Sequence, residues 1–554
     1  MTVQTATRIG AAAHTNRGVR RLALANIGVA VVAFGVAAAM AMMQALSRAA
    51  LDLPFRSASM YYMSVTAHGT LMALVFTTFF IMGFGYVVAE RALDRPVPHL
   101  RLAWTSFYLA LAGTLSTVVA ILAFKATVLY TFYPPLKAHP AFYIGLTLVV
   151  VGSWGWSAVM LFALRAWRRE HPRAPIPLPM YGFTATVIVW LLATAGVAAE
   201  MLFLLIPWSL GLTRTVDPEL ARMLFWWFGH PLVYFWLLPA YVIWYTVLPH
   251  AAGGKLFSDP LGRMVFALFI VLSTPVGFHH QFMDPGIASG WKALHTFNTF
   301  WILYPSFVTA FTIVASLELA GRARGGRGLF GWIRRLPWGD PLVSSVILAM
   351  LLFALGGWGG AINASFGMNA VVHNTSWIPG HFHTTVGSAT ALTFMGATYW
   401  VLPSLTGKRL ELAPMAKVQP YIWFAGMLLF SIPTHMTGVM GMPRRVFDAS
   451  YGNHATALTW KPLTDLSALG GMLLFVSSAF FLLVVLFTVA GTRATPEVLE
   501  FAEPVEPVGS QAGIFDRIGL WTAAAVVLIV VAYGPPLWNH LHTTRFGSVG
   551  FSPF

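Results

Sequence analysis

The sequence predicts an all-α, multi-pass membrane protein, and three observations support that class: its composition, its long apolar segments and the placement of its basic residues. Of the 554 residues, 57% are hydrophobic and only 10% are charged, with a mean hydropathy of +0.70. Soluble domains carry about 25% charged residues, so helices that bury one another and contact lipid are expected. The chain is interpreted as a single transmembrane domain, residues 1–554.

About thirteen apolar segments are predicted to be transmembrane helices, since crossing a bilayer takes about 20 residues. The ninth is short, and the glycines from Gly356 to Gly360 obscure its end. Clusters of Pro, Gly and charged residues separate the segments and mark loops. The segments cover residues 22–46, 61–89, 102–124, 141–164, 180–212, 223–249, 264–282, 293–320, 342–357, 377–404, 418–442, 466–490 and 518–537.

The net charge of +15 is interpreted as a topology signal and not as a nucleic-acid-binding surface, because the basic residues lie in short loops. The larger share of the 34 Lys and Arg residues falls on the side of the N-terminus. That side is predicted to be cytoplasmic. Residues 1–21 then form a cytoplasmic N-terminal tail without a cleavable signal peptide, and residues 491–517 form a cytoplasmic loop.

The stretch from His373 to His383 suggests metal binding inside the membrane. The chain has no cysteine, so any metal must be held by histidine or oxygen ligands. On a helix, His381 and His383 are two steps of about 100° apart and leave on nearly opposite sides, so one helix can serve two centres. The alternative is that both are interfacial histidines at a helix start behind Pro379 and Gly380.

Six histidines from four predicted spans fall at one depth, in the outer part of the membrane. A buried intramembrane histidine is costly without a partner, which makes such a cluster a candidate functional site. Chance placement would scatter histidines among loops and both leaflets. The six are His68, His230, His279, His280, His381 and His383.

Three of the six are predicted to bind copper. His230 and Tyr234 are four residues apart, so they share one helix face and their rings can touch. His279 and His280 follow Pro275, which loosens the helix enough for neighbouring rings to turn to one centre. Neutral imidazoles suit copper, and three of them leave a coordination position open for a ligand.

The remaining three histidines are predicted to bind two hemes. His381 can hold a heme iron that faces the copper and keeps its other axial position free. His68 and His383 can occupy both axial positions of a second heme, which then transfers electrons but binds no substrate. For His68 taken alone, a single hydrogen bond between helices is the competing interpretation. The predicted architecture is therefore about thirteen helices around two hemes and one copper ion.

These residues resemble subunit I of the heme-copper oxidases, and flanking stretches at 127–137, 225–227, 273–282 and 325–334 resemble the B-family cytochrome c oxidases. The resemblance implies that His230, His279 and His280 bind copper and that Tyr234 is cross-linked to His230, the two being catalytic. It implies that His381 binds the high-spin heme and that His68 and His383 bind the low-spin heme. The implied activity is dioxygen reduction to water, coupled to proton uptake and pumping.

A proton path is predicted from two rows of hydroxyl groups. Tyr241 and Tyr245 continue inward from Tyr234 on one helix face, and Ser306, Thr309 and Thr312 recur at steps of three on another. Hydroxyls donate and accept, so they can relay protons with water between them. The alternative is ordinary backbone bonding and packing. The resemblance favours the path, and Leu232, where A-family oxidases carry glutamate, argues against their second path.

Heme propionates are predicted to contact Arg444 and Arg445, because a guanidinium fork matches a carboxylate. Interfacial anchoring is the alternative. His373 resembles the histidine near the propionates of the oxygen-binding heme. Asn369 departs from the family pattern, in which an acid stands there, so the group that stores a pumped proton is left open. Glu200, an acid within a predicted span, receives no role.

Two other function classes compete with the oxidase. A nitric oxide reductase of the same superfamily would be expected to use iron in place of copper, with glutamates and no His-Tyr pair; a non-redox transporter would contain no heme. Without cysteine, the chain lacks the usual dithiolate copper entry site. A subunit II carrying a dinuclear copper site is therefore the expected partner, with cytochrome c as donor and a quinol as the alternative. The expected location is the prokaryotic plasma membrane, with the N-terminus cytoplasmic.

Overall fold

The protein is built from α-helices, as a computed structural model that describes residues 15–49, 57–494, 498–510, 512–543 and 547–553 makes plain. The all-α membrane class is thereby confirmed. The predicted tail (1–21) and loop (491–517) lie partly outside the described residues, at 1–14, 495–497 and 511.

Twenty α-helices follow one another along the described chain, and three of the junctions between them are π-helical turns. The α-helices are α1 Arg17–Arg48, α2 Ala58–Thr70, α3 Thr77–Leu93, α4 Leu100–Leu122, α5 Pro140–Glu170, α6 Leu178–Glu200, α7 Ile206–Ser209, α8 Pro218–Gly229, α9 Pro231–Thr246, α10 Leu248–Ala251, α11 Asp259–Leu272, α12 Ser289–Trp301, α13 Leu303–Ala323, α14 Pro341–Ala364, α15 Phe366–Val372, α16 Trp377–Thr385, α17 Ala391–Thr406, α18 Ala413–Val439, α19 Ala455–Ala490 and α20 Ile518–His542. The π-helical turns are Leu71–Phe76, Met201–Leu205 and Val386–Thr390, and the 3-10 turns are Gly277–Gln281, Ile333–Arg335 and Ile514–Asp516.

Four very short strands tie loops together at the two ends of the helices. Strands β1 (Thr215–Val216) and β4 (Ser548–Val549) pair antiparallel. Strands β2 (Leu256–Ser258) and β3 (Pro504–Glu506) pair in parallel. The second pair fastens the long loop before α20 to the segment that leads into α11.

Within the described residues, eleven helices or joined helices are long and apolar enough to cross a membrane. The predicted count of thirteen is not confirmed. The two other predicted segments are also helical, but α11 has only 14 residues and ends at Leu272. The helical run from Trp377 to Thr406 is long enough, and its histidine, serine and threonine residues make it less apolar than the eleven.

The ninth segment, predicted at 342–357, is longer than predicted. Helix α14 continues through the glycine run to Ala364 instead of ending near residue 357. These glycines let another helix approach closely. A Cβ atom added at Gly356 would lie 2.5 Å from Thr385 Cγ2, and one at Gly359 would lie 3.0 Å from His381 Nδ1. Glycine therefore serves packing here and not helix termination.

Interruptions of helices coincide with the histidines. His230 separates α8 from α9, and a 3-10 turn carries His279 and His280. The π-helical turns Leu71–Phe76 and Val386–Thr390 begin three residues after His68 and His383. A π-helical turn changes the direction in which side chains leave a helix, and such turns are frequent at functional sites.

Candidate metal centres

The side chains of His230, His279 and His280 converge. One ring nitrogen from each lies within 4.8 Å of the others. His230 Nδ1 is 3.0 Å from His280 Nε2, and the ring planes of His230 and His279 cross at 82°. Crossed rings direct their nitrogens to a common point from different sides, as a metal ion requires.

Neighbouring side chains fix the orientation of each of these rings. The Thr299 hydroxyl donates to the His295 carbonyl and accepts from His279 Nδ1 at 2.9 Å, which leaves His279 Nε2 as the available ligand atom. His280 stacks on Trp226, with ring centres 3.7 Å apart and planes within 7°. Second contacts of this kind are what hold ligand rings in the correct tautomer and direction.

Tyr234 lies beside this cluster. Its hydroxyl is 2.9 Å from His230 Nε2, so the other nitrogen of His230, Nδ1, is the one that faces His280. Both Tyr234 and His279 are buried. The residues fit a copper ion, because His230, His279 and His280 supply three oriented imidazoles and the sequence has no cysteine to compete with them.

His68 and His383 form a second arrangement, with their rings facing each other. The ring planes are parallel within 4°, and the ring centres are 6.1 Å apart. A separation of this size would let one metal ion be held between the two rings by one nitrogen from each. Nδ1 of His68 donates to the Ala37 carbonyl at 3.0 Å and Nδ1 of His383 to the Pro379 carbonyl at 2.7 Å, so both Nε2 atoms are available. The pair would suit a heme iron held by both His68 and His383.

His381 leaves α16 on a different side from His383 and faces α14. Its Nδ1 donates to the Gly356 carbonyl at 3.0 Å, which again leaves Nε2 available. Gly359 and Gly360 lie next to the ring and present no side chain to it. One short helix thus directs two imidazoles to two different places, as the spacing of His381 and His383 predicts.

Comparison with known proteins decides the family. Residues 21–473 match the family described as cytochrome c and quinol oxidase polypeptide I. The chain belongs to this family. It is 44% identical over 505 residues to cytochrome c oxidase subunit 1 of Thermus thermophilus, with 88% of each chain covered. It is 27% identical over 435 residues to the alternative cytochrome c oxidase subunit 1 of Bradyrhizobium diazoefficiens, covering 71% of this chain and 69% of that one.

A solved structure agrees with the sequence relatives. The protein superimposes on a chain of a heme-copper terminal oxidase dimer with a TM-score of 0.91 at 35% identity, covering 97% of this chain and 96% of that chain. Heme and copper are cofactors of this family. Together with the eleven candidate spans, the bacterial relatives indicate a multi-pass prokaryotic membrane protein.

The oxidase subunit also carries a set of cations in the loop that follows α18. Arg444 donates to Asn374 Oδ1 at 2.8 Å, and Arg445 lies 4.7 Å above the ring of Tyr130 and donates to Thr131. Nε and Nη2 of Arg445 are buried with no hydrogen-bond partner among the described residues. Burial and the adjacent Arg445 cation lower the pKa of Arg444 to about 10. Unmatched buried donors on paired cations fit a carboxylate such as a heme propionate.

His373 lies beside the same cations. Its Nδ1 is 3.2 Å from Asn369 Oδ1, while Asn369 Nδ2 donates to the Asn363 carbonyl. Burial and the neighbouring Arg444 lower the pKa of His373, so the ring is neutral at pH 7. Because the amide oxygen can only accept, His373 Nδ1 carries the proton and Nε2 remains free to take one up.

The two predicted rows of hydroxyls meet in pairs. Tyr241 donates to Ser306 at 3.1 Å and Tyr245 to Thr309 at 3.0 Å. Thr312 is buried one turn further along α13. Sequence reasoning missed Ser316, which continues the row: its hydroxyl donates to the Thr312 carbonyl and accepts from the Phe257 amide at 2.9 Å. The step of four from Thr312 was the signal.

Other contributors were missed because their partners are distant in sequence. Trp226, Thr299 and Gly356 contact the histidine rings, and none of the three was predicted to have this role. The Trp226 neighbourhood was noted only as a family motif. Glu200 is fully buried, with no hydrogen-bond partner for either carboxyl oxygen among the described residues. It lies next to the π-helical turn Met201–Leu205, and the structure gives it no evident task.

Proposed function

We propose that this chain is the catalytic subunit of a terminal respiratory oxidase, which reduces dioxygen to water with electrons from cytochrome c and translocates protons. The observation that carries the proposal is the convergence of His230, His279 and His280 beside Tyr234, with His381 on a neighbouring helix. Membership of the oxidase family supports it. A non-redox transporter has no use for this set of oriented imidazoles.

The ligand assignment follows from the available nitrogens. One copper ion would be held by His230, His279 and His280, one heme by His381, and a second heme by His68 and His383. When bound, the copper and the heme held by His381 would supply dioxygen binding and electrons, whereas the heme held by both His68 and His383 would only transfer electrons. The parallel rings of His68 and His383 support that division, since no position is left for a substrate.

Tyr234 is proposed as the proton donor at the reacting position. Its hydroxyl is within hydrogen-bonding distance of His230, at 2.9 Å, and the side chain is buried away from bulk water. A phenol can release a proton together with an electron, and a cross-link to His230 would fix its position. Full reduction of dioxygen takes four electrons and four protons and yields two waters, so further protons must reach this hydroxyl.

Those protons are proposed to come from the cytoplasm along Tyr245, Tyr241 and their partners on α13. The paired hydroxyls Tyr241–Ser306 and Tyr245–Thr309 support relay through hydrogen bonds, with water between the pairs. No glutamate stands between His230 and Tyr234, where position 232 is leucine. A single path on this side of the molecule is therefore proposed.

Dioxygen is proposed to enter from the lipid. An apolar cavity of about 80 Å³ is lined by Trp190, Met201, Leu202 and Phe228, the last of which is two residues before His230. Leu202 is 55% exposed on the outer surface of its helix. A small apolar gas partitions into such a space, whereas water gains no hydrogen bonds there.

Electron entry is proposed to need another subunit. The chain has no cysteine, so a dinuclear copper site with thiolate ligands must lie on a partner such as subunit II. The family includes both cytochrome c and quinol oxidases. A nitric oxide reductase is disfavoured, because no glutamate occurs in residues 223–282 and Tyr234 pairs with His230.

The decisive experiment combines metal analysis with spectroscopy on the purified complex. We expect three copper ions for every two hemes of this chain, one at His230, His279 and His280 and two in the dinuclear site of subunit II. The carbon monoxide difference spectrum should arise from only one of the hemes, because the other would be held by both His68 and His383. Oxygen uptake should be supported by reduced cytochrome c and not by a quinol. Absence of copper, or a protein without heme, would contradict the proposal; uptake with a quinol alone would contradict only the choice of donor.

A further inference from the structure

The segment that carries His279 and His280 is not held by its own helix. We call residues 273–281 the copper loop. Helix α11 ends at Leu272, Pro275 prevents the helix from continuing, and a 3-10 turn begins at Gly277. The break releases backbone carbonyl and amide groups from helical bonds, and such groups need new partners in a region without water.

The partners come from two other helices. Asn298 of α12 donates to the Pro275 carbonyl at 2.9 Å, and the Phe278 amide donates to His295 Nδ1 at 3.1 Å. Tyr533 of α20 serves both sides of the break: its hydroxyl donates to the Thr274 carbonyl at 3.2 Å and accepts from the Gly277 amide at 3.1 Å. One hydroxyl thus spans the interruption.

Helix α20 also orients the histidine from α12. His295 Nε2 donates to the carbonyl of Ala532 at 3.2 Å, so the nitrogen that receives the Phe278 amide is the unprotonated one. The Tyr533 ring stacks on Trp227 at 4.8 Å and packs edge-on against Phe278 at 4.9 Å. Both His295 and Tyr533 are fully buried.

Helix α20 makes these buried contacts although most of its residues are not buried. In the most apolar 18-residue stretch of α20, only 22% of the residues are buried. The corresponding share in the span Pro218–Ala251 is 94%. Its buried positions form one narrow stripe, which includes Tyr533. The family match ends at residue 473, before α20 begins. A peripheral helix therefore supplies the hydroxyl that closes the copper loop.

We propose that Tyr533 is a positioning residue for the copper site: by bridging Thr274 and Gly277 it holds the copper loop, and with it His279 and His280, in the ligand-ready geometry. The inference rests on the proposed copper binding at these histidines. It assigns to α20 the retention of copper and not of heme, since neither His68, His381 nor His383 lies on the copper loop.

The test is Tyr533→Phe, which keeps the ring and removes both hydroxyl bonds. We expect copper to be lost to a chelator about tenfold faster than from the parent protein, the factor that about 1.4 kcal/mol represents. Heme content and spectra should stay unchanged. Amide hydrogen exchange in the peptide covering residues 273–281 should accelerate, a readout that does not depend on copper or turnover.

Tyr181→Phe is the matched control. Tyr181 is also fully buried, and its hydroxyl donates to the Phe515 carbonyl at 2.7 Å, so it fastens the segment before α20 without touching the copper loop. We expect copper retention and exchange as in the parent. A second arm compares His295→Gln, which keeps a donor and an acceptor, with His295→Phe, which keeps neither; the first should retain more copper.

Three results would overturn the inference: Tyr533→Phe that keeps copper and exchange unchanged, Tyr533→Phe that loses hemes and copper together, or equal copper loss in the Tyr181→Phe control. The first would make the hydroxyl dispensable, and the others would make α20 a general support of the fold. Failure of the proposed function looks different, because the parent protein itself would then hold no copper at His230, His279 and His280.

Discussion

The two groups of histidines solve different problems. The rings of His68 and His383 lie parallel within 4°, and each belongs to a helical segment. The rings of His230, His279 and His280 cross at 82°, 44° and 38°, and they come from a helix junction and a 3-10 turn. Regular helices suffice where two ligands face each other across one axis. Three imidazoles that converge on one point are here supplied by interruptions of the helices.

The interruptions of the helices leave backbone groups that need hydrogen-bond partners, whereas the helices that carry His68 and His383 need fewer such partners. His68 and His383 each need a single carbonyl, from Ala37 and Pro379, to orient the ring. The loop of His279 and His280 needs Asn298, His295 and Tyr533 to satisfy backbone groups, in addition to Thr299 for the ring. The cluster of His230, His279 and His280 therefore depends on more of the surrounding residues than the pair His68 and His383 does.

The largest effect is expected from removing one ligand of each group. His280→Ala should abolish copper binding and lower oxygen uptake by more than the roughly 100-fold that loss of a supporting contact costs, with both hemes retained. His383→Ala should keep copper and remove the low-spin heme spectrum. Metal analysis and optical spectra of the two variants separate them. Loss of the same cofactor from both would merge the two groups into one site.

Tyr234→Phe should come next. It removes only the hydroxyl, so copper and both hemes should remain while turnover falls by about 10²–10⁴-fold, the range for loss of a positioned proton donor. Tyr86→Phe is the control, because the Tyr86 hydroxyl is buried without a hydrogen-bond partner among the described residues. Turnover measured by oxygen uptake that fell equally in both would show that Tyr234 acts through packing.

A smaller effect is expected in the hydroxyl rows. Thr309→Val keeps the shape and removes the partner of Tyr245, so proton uptake during turnover should slow about tenfold if one hydrogen bond of about 1.4 kcal/mol is lost from the rate-limiting transfer. Thr398→Val, whose hydroxyl bonds only its own helix at Phe394, is the control. Unchanged proton uptake in Thr309→Val would remove this row from the proposed path.

Arg445→Lys should have a modest effect. Lysine keeps the charge but not the planar fork, so the two free donors of Arg445 cannot both meet a carboxylate. We expect about 1 kcal/mol weaker heme retention, seen as heme loss in detergent about fivefold faster than in the parent. Arg409→Lys, an exposed arginine paired with Glu411, is the control. Retention equal to the parent would leave Arg445 an interfacial anchor.

The smallest effect is expected from His373. Its pKa is lowered in the folded protein, so the unfolded chain binds more protons below its own pKa of about 6.5, and stability falls as the pH falls through that window. His373→Gln should flatten the pH dependence of the melting temperature between pH 7 and pH 5, measured as small shifts. A parent protein whose melting temperature rises on acidification would contradict the neutral ring.

The sequence predicts the ligands better than their surroundings. Spacing alone separates His381 from His383 and joins His230 to Tyr234, because both rules act within one helix turn. The supporting groups follow no local rule: His381 bonds a carbonyl 25 residues away and His68 one 31 residues away. The length of α14 was predicted wrongly for a related reason: its glycines allow close contact with Thr385 and His381 and do not end the helix. These features depend on contacts between residues that are distant in sequence, and the periodicity of the sequence does not reveal such contacts.

The bond between the Gly277 amide and the Tyr533 hydroxyl joins residues 256 positions apart. Gly277 is synthesised long before Tyr533. The nascent chain therefore passes through a stage in which His279 and His280 have left the ribosome and Tyr533 has not. Metal delivery to this subunit is therefore expected to follow membrane insertion of α20, and a chaperone that delivers copper would meet a chain in which α20 is already in place.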